Sequence, residues 1–331
     1  MSDFLFTLNA ILPIIIMVLI GYIFKRIGII GPELAKGMNK VVFRLFLPIM
    51  LFVNVYKIES ISSIDPWYML YAIGFTIILF AVMLFVSGTV TKDRSKRGVI
   101  TQATFRSNYA LIGIPIAVSL VPDGGGAASA LLSAFIVPVF NILAIITLTV
   151  FSDSGDGKEK KRISVKKILT DIAKNPLVDA IFLGLVCLVI RALLAKGGIG
   201  FRLTDIPFVY ATLEKLGAVA TPLALISLGA GFEFKAVKEL KVYIIFSTLI
   251  RCVAVPLLGF GIALLIGGFE AAHFAAFVGV FATPVAVSSV PMAQELGGDT
   301  QLAGQLVVWT TVLSSLTVFI ATYVLKIIGI F

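Results

Sequence analysis

Ten apolar runs, each long enough to cross a membrane as a helix, follow one another along this 331-residue chain. They fall near 4–24, 41–57, 67–90, 98–121, 127–151, 176–195, 211–231, 242–267, 273–294 and 303–329. A helix needs roughly 20 apolar residues to span the hydrocarbon core. Backbone in lipid must satisfy its own hydrogen bonds, which leaves helices or a closed barrel. Long runs, not ten-residue alternation, select helices, so the expected fold class is an all-α polytopic membrane protein. With 59% hydrophobic and only 14% charged residues, the chain lies far from the roughly 25% charge of a soluble domain.

The net charge of +9 does not point to nucleic acid, because the basic residues lie between apolar runs and not on one face of a soluble domain. Topology accounts for them. Connections after the first, third, fifth and seventh runs hold eighteen Lys and Arg, whereas the opposite side has only Lys57, Arg191, Lys196, Arg202 and Lys215. Basic residues stay in the cytoplasm, so both termini are expected outside, with the protein in the cell's inner membrane. Residues 4–24 lack a basic leader and are followed by Lys25 and Arg26, which reads as a retained first helix. Cys187 and Cys252 sit far apart inside apolar runs, so neither a disulfide framework nor a metal site is expected. No nucleotide fingerprint, zinc spacing or nucleophile elbow occurs, which leaves an enzyme or an ATP-driven pump without support and calls for no cofactor.

Residues 152–174 form the one long polar stretch and divide the chain into a first five-run half, 1–151, and a second, 175–331. The stretch is basic and expected to be cytoplasmic, a solvated connector in preference to a regulatory segment or one contacting membrane lipid. An odd number of runs inverts the second half. Inverted repeats build many transporters and leave weak internal symmetry. Pro13 and Gly21 are spaced like Pro176 and Gly184, and Leu47-Pro48-Ile49 resembles Thr221-Pro222-Leu223. One offset joins Ser107-Asn108 through Pro115 and Ala117 to Thr283-Pro284 through Pro291 and Ala293, and carries Asp123 onto Asp299.

Chemistry is expected where runs four and nine are interrupted. Gly113-Ile114-Pro115 and Thr283-Pro284 with Pro291 should break both helices in mid-membrane. Broken helices that cross there turn N-termini toward an anion without any buried lysine or arginine. Asn108 offers donor and acceptor, and Ser107, Thr283, Ser288 and Ser289 offer hydroxyls at the same break. Against this stands simple bonding of hydroxyls to the preceding turn. Arg44, Arg106 and Asp179 fall toward run starts, where snorkelling is easy. That leaves Arg251 and the Gln294-Glu295 pair as candidate coupling or gating groups. His273 begins run nine and reads as interfacial. Asn54 and Asn141 are candidate pocket residues or helix–helix glue.

The segments LPIIIMVLIGYIFKRIGI, FRLFLPIMLF, SNYALIGIP, KNPLVDAIFLGL, ATPLALISLGAGF, FATPVAVSSVPMAQELGGD and WTTVLSSLT, in this order, resemble bacterial auxin efflux carrier family permeases over essentially the whole chain. The resemblance implies ten helices arranged as in bile-acid symporters and sodium/proton antiporters, with broken, crossing helices 4 and 9. It implies a scaffold of spans 1, 2, 6 and 7, a moving unit of spans 3–5 and 8–10, a homodimer, and elevator-type transport of an organic anion such as an auxin- or malonate/malate-like carboxylate. It makes Pro115 and Pro291 the crossover prolines and Asn108 the polar residue of the fourth span. The asparagine that plant relatives carry in span nine has no match here. Pro48 and Pro222 would face the cargo from the scaffold. The coupling ion, a proton or sodium, stays open. So do sodium-coupled symport of a larger amphipathic anion and a non-transporting sensor; a channel would need more polar lining than this chain offers.

Overall fold

The computed structural model describes residues 2–57, 66–152, 170, 173–198 and 200–331, with side chains from residue 12 onward. Twelve principal helices are described: α1 (Ser2–Arg26), α2 (Pro32–Tyr56), α3 (Pro66–Val90), α4 (Arg94–Phe105), α5 (Tyr109–Leu120), α6 (Gly125–Phe151), α7 (Pro176–Lys196), α8 (Pro207–Gly231), α9 (Phe234–Ile266), α10 (Ala271–Ala282), α11 (Ser289–Glu295) and α12 (Thr300–Ile327). Seven of these, α2, α3, α6, α7, α8, α9 and α12, are long and apolar enough to cross a membrane. Phe85, Phe182, Phe208 and Leu265 stand out from the surface, which is ruinous in water on this scale but natural where lipid is the solvent. Most of the 152–174 connector lies outside the described residues.

The apolar runs match the helices closely at most ends, but α2 starts about nine residues and α9 about eight residues before the runs at 41 and 242. The extra turns hold Glu33, Lys36 and Lys40 in α2, and Lys235, Lys238 and Glu239 in α9. They are polar helix continuing past the oil, which a test for apolarity cannot register.

Proline shapes these helices by a repeated rule. It has no N–H for the carbonyl four residues back, and its ring crowds that carbonyl. The turn before it widens to a five-residue spacing over Val42–Phe46, Tyr109–Gly113 and Ile250–Ala254, ahead of Pro48, Pro115 and Pro256. Each of these helices bends and continues. The expectation that Gly113-Ile114-Pro115 breaks span four is therefore corrected: α5 runs through Pro115, and the chain breaks earlier, at Arg106–Asn108. Pro291 likewise lies inside the first turn of α11. In span nine the break falls at Thr283–Ser288, where the sequence suggests it.

The helices pack in two groups. α1 lies along α8, and α2 along α7 and α8; α6 packs on α4, α5 and α10, and α12 on α9 and α11. The α1–α8 crossing is so close that a Cβ on Gly21 would sit 2.0 Å from the Ile226 carbonyl oxygen, and one on Gly229 1.9 Å from that of Val18. At one end of the second group, Asp93 and Asp299 accept bonds from the first-turn amides of α4 and α12. Lys96 Nζ binds the Asp93 carboxylate and reaches Asp299 at 3.5 Å. Burial works to raise the Asp93 pKa, but the hydrogen bonds from Lys96 and Ser95 outweigh it and hold the carboxyl below its ordinary value.

Candidate functional site

α4 has 12 residues, the first four of them RSKR, so it ends at Phe105 well short of the roughly 20 apolar residues that cross the hydrocarbon layer. There Arg106 and Ser107 run extended and Asn108 turns the chain into α5. α10 ends at the matching depth, and its own extended stretch leads to α11. The two stretches meet: Ser107 pairs antiparallel with Val285, and the Asn108 amide donates to the Pro284 carbonyl at 2.7 Å. Val285 N–H, in turn, donates to Thr310 Oγ1 of α12 at 3.1 Å. Extended backbone at this depth is tolerated only against protein or water, and here it lies against protein on one flank and a cavity on the other. Close by, α5 and α10 touch through glycine, since a Cβ on Gly113 would lie 2.7 Å from Gly279 Cα.

One flank of the crossing opens into a cavity of about 470 Å³. Arg106, Ser107, Asn108 and Ser288 form its polar floor; Met50, Val53 and Pro222 of α2 and α8 face them. The cavity extends toward Lys57 and Glu214, an ion pair at 2.8 Å. Asn108 Nδ2 and Ser107 Oγ are buried at this floor without a hydrogen-bond partner. Orphaned buried polar atoms cost about 1–3 kcal/mol each, and beside a cavity a ligand or water is one way to recover that cost.

The sequence-derived candidates separate accordingly. Asn108, Ser107, Ser288 and Pro222 line the cavity, as do Asn54 and Asn141. Thr283, Pro284, Ser289, Pro291, Pro115 and Pro48 are not in its wall. Thr283 instead donates from Oγ1 to the Gly279 carbonyl at 2.6 Å. Gln294 and Glu295 lie at the other end of α2 from Lys57. There Asn39 donates to Gln294 Oε1 at 3.1 Å, Gln294 Nε2 donates to the Lys36 carbonyl at 3.0 Å, and Arg44 pairs with Glu295 at 3.5 Å. His273 is buried and stacks on Tyr68.

Two buried arginines grip the crossing. Arg251 of α9 is 1% exposed and donates to the carbonyls of Thr104, Val280 and Thr283, at 2.7–3.2 Å. These carbonyls end α4 and α10, where the helix dipole gathers negative charge. Arg106 contradicts the expectation that it snorkels and that the site lacks a buried cation. It is 2% exposed, because it follows α4 at mid-depth and not near its start. Its guanidinium donates to Asn141 Oδ1, Ser288 Oγ and Met292 Sδ, each at 2.7 Å. Among the described residues no carboxylate comes within ion-pair distance of it. The available signal was depth: Arg106 stands twelve residues beyond Arg94, with no acidic residue in its apolar run.

A multi-helix apolar body, two helices interrupted at mid-depth and a polar cavity at their crossing define a membrane transporter. The chain belongs to the membrane transport protein family, whose model matches residues 6–322; these are the auxin efflux carriers that its motifs resemble. It is 26% identical over 264 residues to an uncharacterized transporter of Methanocaldococcus jannaschii, covering 78% of this chain and 80% of that one. It is 23% identical over 325 residues to an uncharacterized transporter of Methanothermobacter thermautotrophicus, covering 94% and 96%. Its fold is similar to that of a sodium proton antiporter from Methanocaldococcus jannaschii, with TM-score 0.60, 13% identity, and 94% and 92% of the two chains covered. The family and these relatives are transporters, not enzymes.

Proposed function

We propose that this protein is a secondary transporter of a small organic anion, a carboxylate of auxin or malonate/malate type, across the plasma membrane. The observation that carries this reading is the cavity at the crossing, where the Asn108 side-chain amide is buried, unpartnered and part of the wall. A carboxylate there accepts from Asn108 while its apolar body rests on Met50 and Val53. The cavity lies between the two packing groups, which supports an elevator: α1, α2, α7 and α8 stay still, and the remaining helices carry the crossing past them. The halves 1–151 and 175–331 are inverted repeats in this reading, and a homodimer forms through the still group. With the basic connections in the cytoplasm and both termini outside, the cavity opens outward. Gln294 and Glu295, tied to α2, then gate the cytoplasmic side, and Arg251 holds the crossing together as it moves.

Uptake of radiolabelled malonate, malate, lactate and indole-3-acetate into proteoliposomes, under imposed proton and sodium gradients, tests the reading. Saturable flux of one acid is expected, reduced about tenfold or more in Asn108→Ala, the equivalent of one lost hydrogen bond to a charged group. The gradient that drives the flux identifies the coupling ion. Sodium-dependent uptake of only larger amphipathic acids would support the symporter reading, whereas binding without flux would make the protein a sensor.

A further inference from the structure

We propose that Arg106 is the counter-charge of the cargo, so that the loaded site is electrically neutral and the empty site carries one positive charge across the membrane. This rests on the reading of the cavity as an anion-transport site.

The two buried arginines differ in what surrounds them. Arg251 spends its donors on backbone carbonyls at two helix C-termini, where partial negative charge already balances it. Arg106 bonds only to an amide oxygen, a hydroxyl and a thioether. All three are neutral, and no carboxylate among the described residues pairs with it. A guanidinium buried this deeply is stabilised by opposite charge, formal or partial; Arg106 bonds none, and it lies in the wall of a cavity large enough to deliver one. Asn141 fixes its pose: Nδ2 is spent on the Val137 carbonyl at 2.8 Å, which turns Oδ1 to the guanidinium. The orphaned Asn108 amide and Ser107 hydroxyl lie on the same floor. Together with the planar guanidinium they match the two oxygens of a carboxylate.

Valence follows from the count of charges. Lys57, the other cation in the cavity wall, is matched by Glu214 at 2.8 Å. One unmatched positive charge therefore faces a wall whose other polar groups are neutral apart from the Lys57–Glu214 pair, which selects a monocarboxylate over a dicarboxylate of similar size. The loaded unit then crosses the field without net charge, and the empty unit does not.

The test uses the full chain, purified and reconstituted. In detergent, lactate, indole-3-acetate and malonate are titrated against wild type, Arg106→Gln and Arg106→Lys, with thermal stabilisation as the readout. Wild type is expected to be stabilised by a monocarboxylate. Arg106→Gln should keep its gel-filtration profile and lose affinity about 100-fold or more, while Arg106→Lys binds more weakly than wild type but measurably. Arg106→Met is the second neutral variant should Arg106→Gln aggregate. In proteoliposomes, exchange of labelled for unlabelled acid should ignore a valinomycin potential. Net efflux should quicken several-fold per 100 mV inside-negative, because the field pulls the empty site back inward; one charge crossing the whole field sets a ceiling of about 50-fold. A neutral variant that binds within a few-fold of wild type, equal voltage dependence of exchange and net efflux, or preference for malonate would overturn the proposal. If none of the acids binds to or crosses with wild type, the anion-transport reading itself falls; flux that survives in Arg106→Gln sinks only the counter-charge.

Discussion

Arg251 and Arg106 both contact the crossing, and both are almost wholly buried. One is answered by backbone and the other by neutral side chains that line a cavity. The difference shows how a membrane protein can use the same residue twice. A cation that closes helix ends has its compensation built in and becomes part of the frame. A cation left facing space has its compensation brought to it and becomes part of the task.

The comparison breaks most sharply at Arg251. Arg251→Met leaves the Thr104, Val280 and Thr283 carbonyls without their donor at the crossing, and loss of such a buried charged partner costs about 3–5 kcal/mol. The expected result is collapse of the monodisperse peak in fluorescence-detected gel filtration, with or without acid present. If Arg251→Met instead folds and merely loses transport, the two arginines are alike and the distinction fails. Asn141→Ala comes next. It removes the acceptor that orients Arg106 and should weaken acid binding about tenfold, roughly 1.4 kcal/mol, at unchanged yield; an equal loss of yield would mean that Asn141 is only helix glue. The smallest effect belongs to Glu295→Gln. The Arg44 side chain of this pair is 66% exposed, and such pairs are worth about 0–1 kcal/mol. Acid affinity should stay within a few-fold, while thiol labelling of a cysteine placed at the partly buried Leu296 should rise as the α2–α11 contact loosens.

The membrane-crossing helices were legible because twenty-residue apolar runs admit one answer in lipid, and the interruption of span nine because Thr283-Pro284 has no place in continuous membrane helix; that of span four was expected at Gly113-Ile114-Pro115 and lies at Arg106–Asn108. What was misread has three separate causes. Apolarity reports how oily a run is, not how deep a residue lies. Arg106 counts as near a run start only if the run begins at 98, whereas the helix begins at Arg94, and those added turns carry the arginine to mid-depth. Pro115 was misread because proline removes one hydrogen bond, which a widened turn absorbs, so it is no proof of a break. Whether Thr283 and Ser289 face the cavity depends on the twist of an extended stretch, which spacing along the chain does not encode.

The contact between Gly113 and Gly279 has a consequence for insulation. A carrier that shuttles its site must not let ions or protons slip through between turnovers, and side chains, which hop between rotamers, make an imperfect seal. Here two helix backbones meet with no room for a methyl group on either, so the seam is closed by atoms that cannot rotate away. If the site shuttles as proposed, the absence of two side chains is what keeps that seam closed to ions.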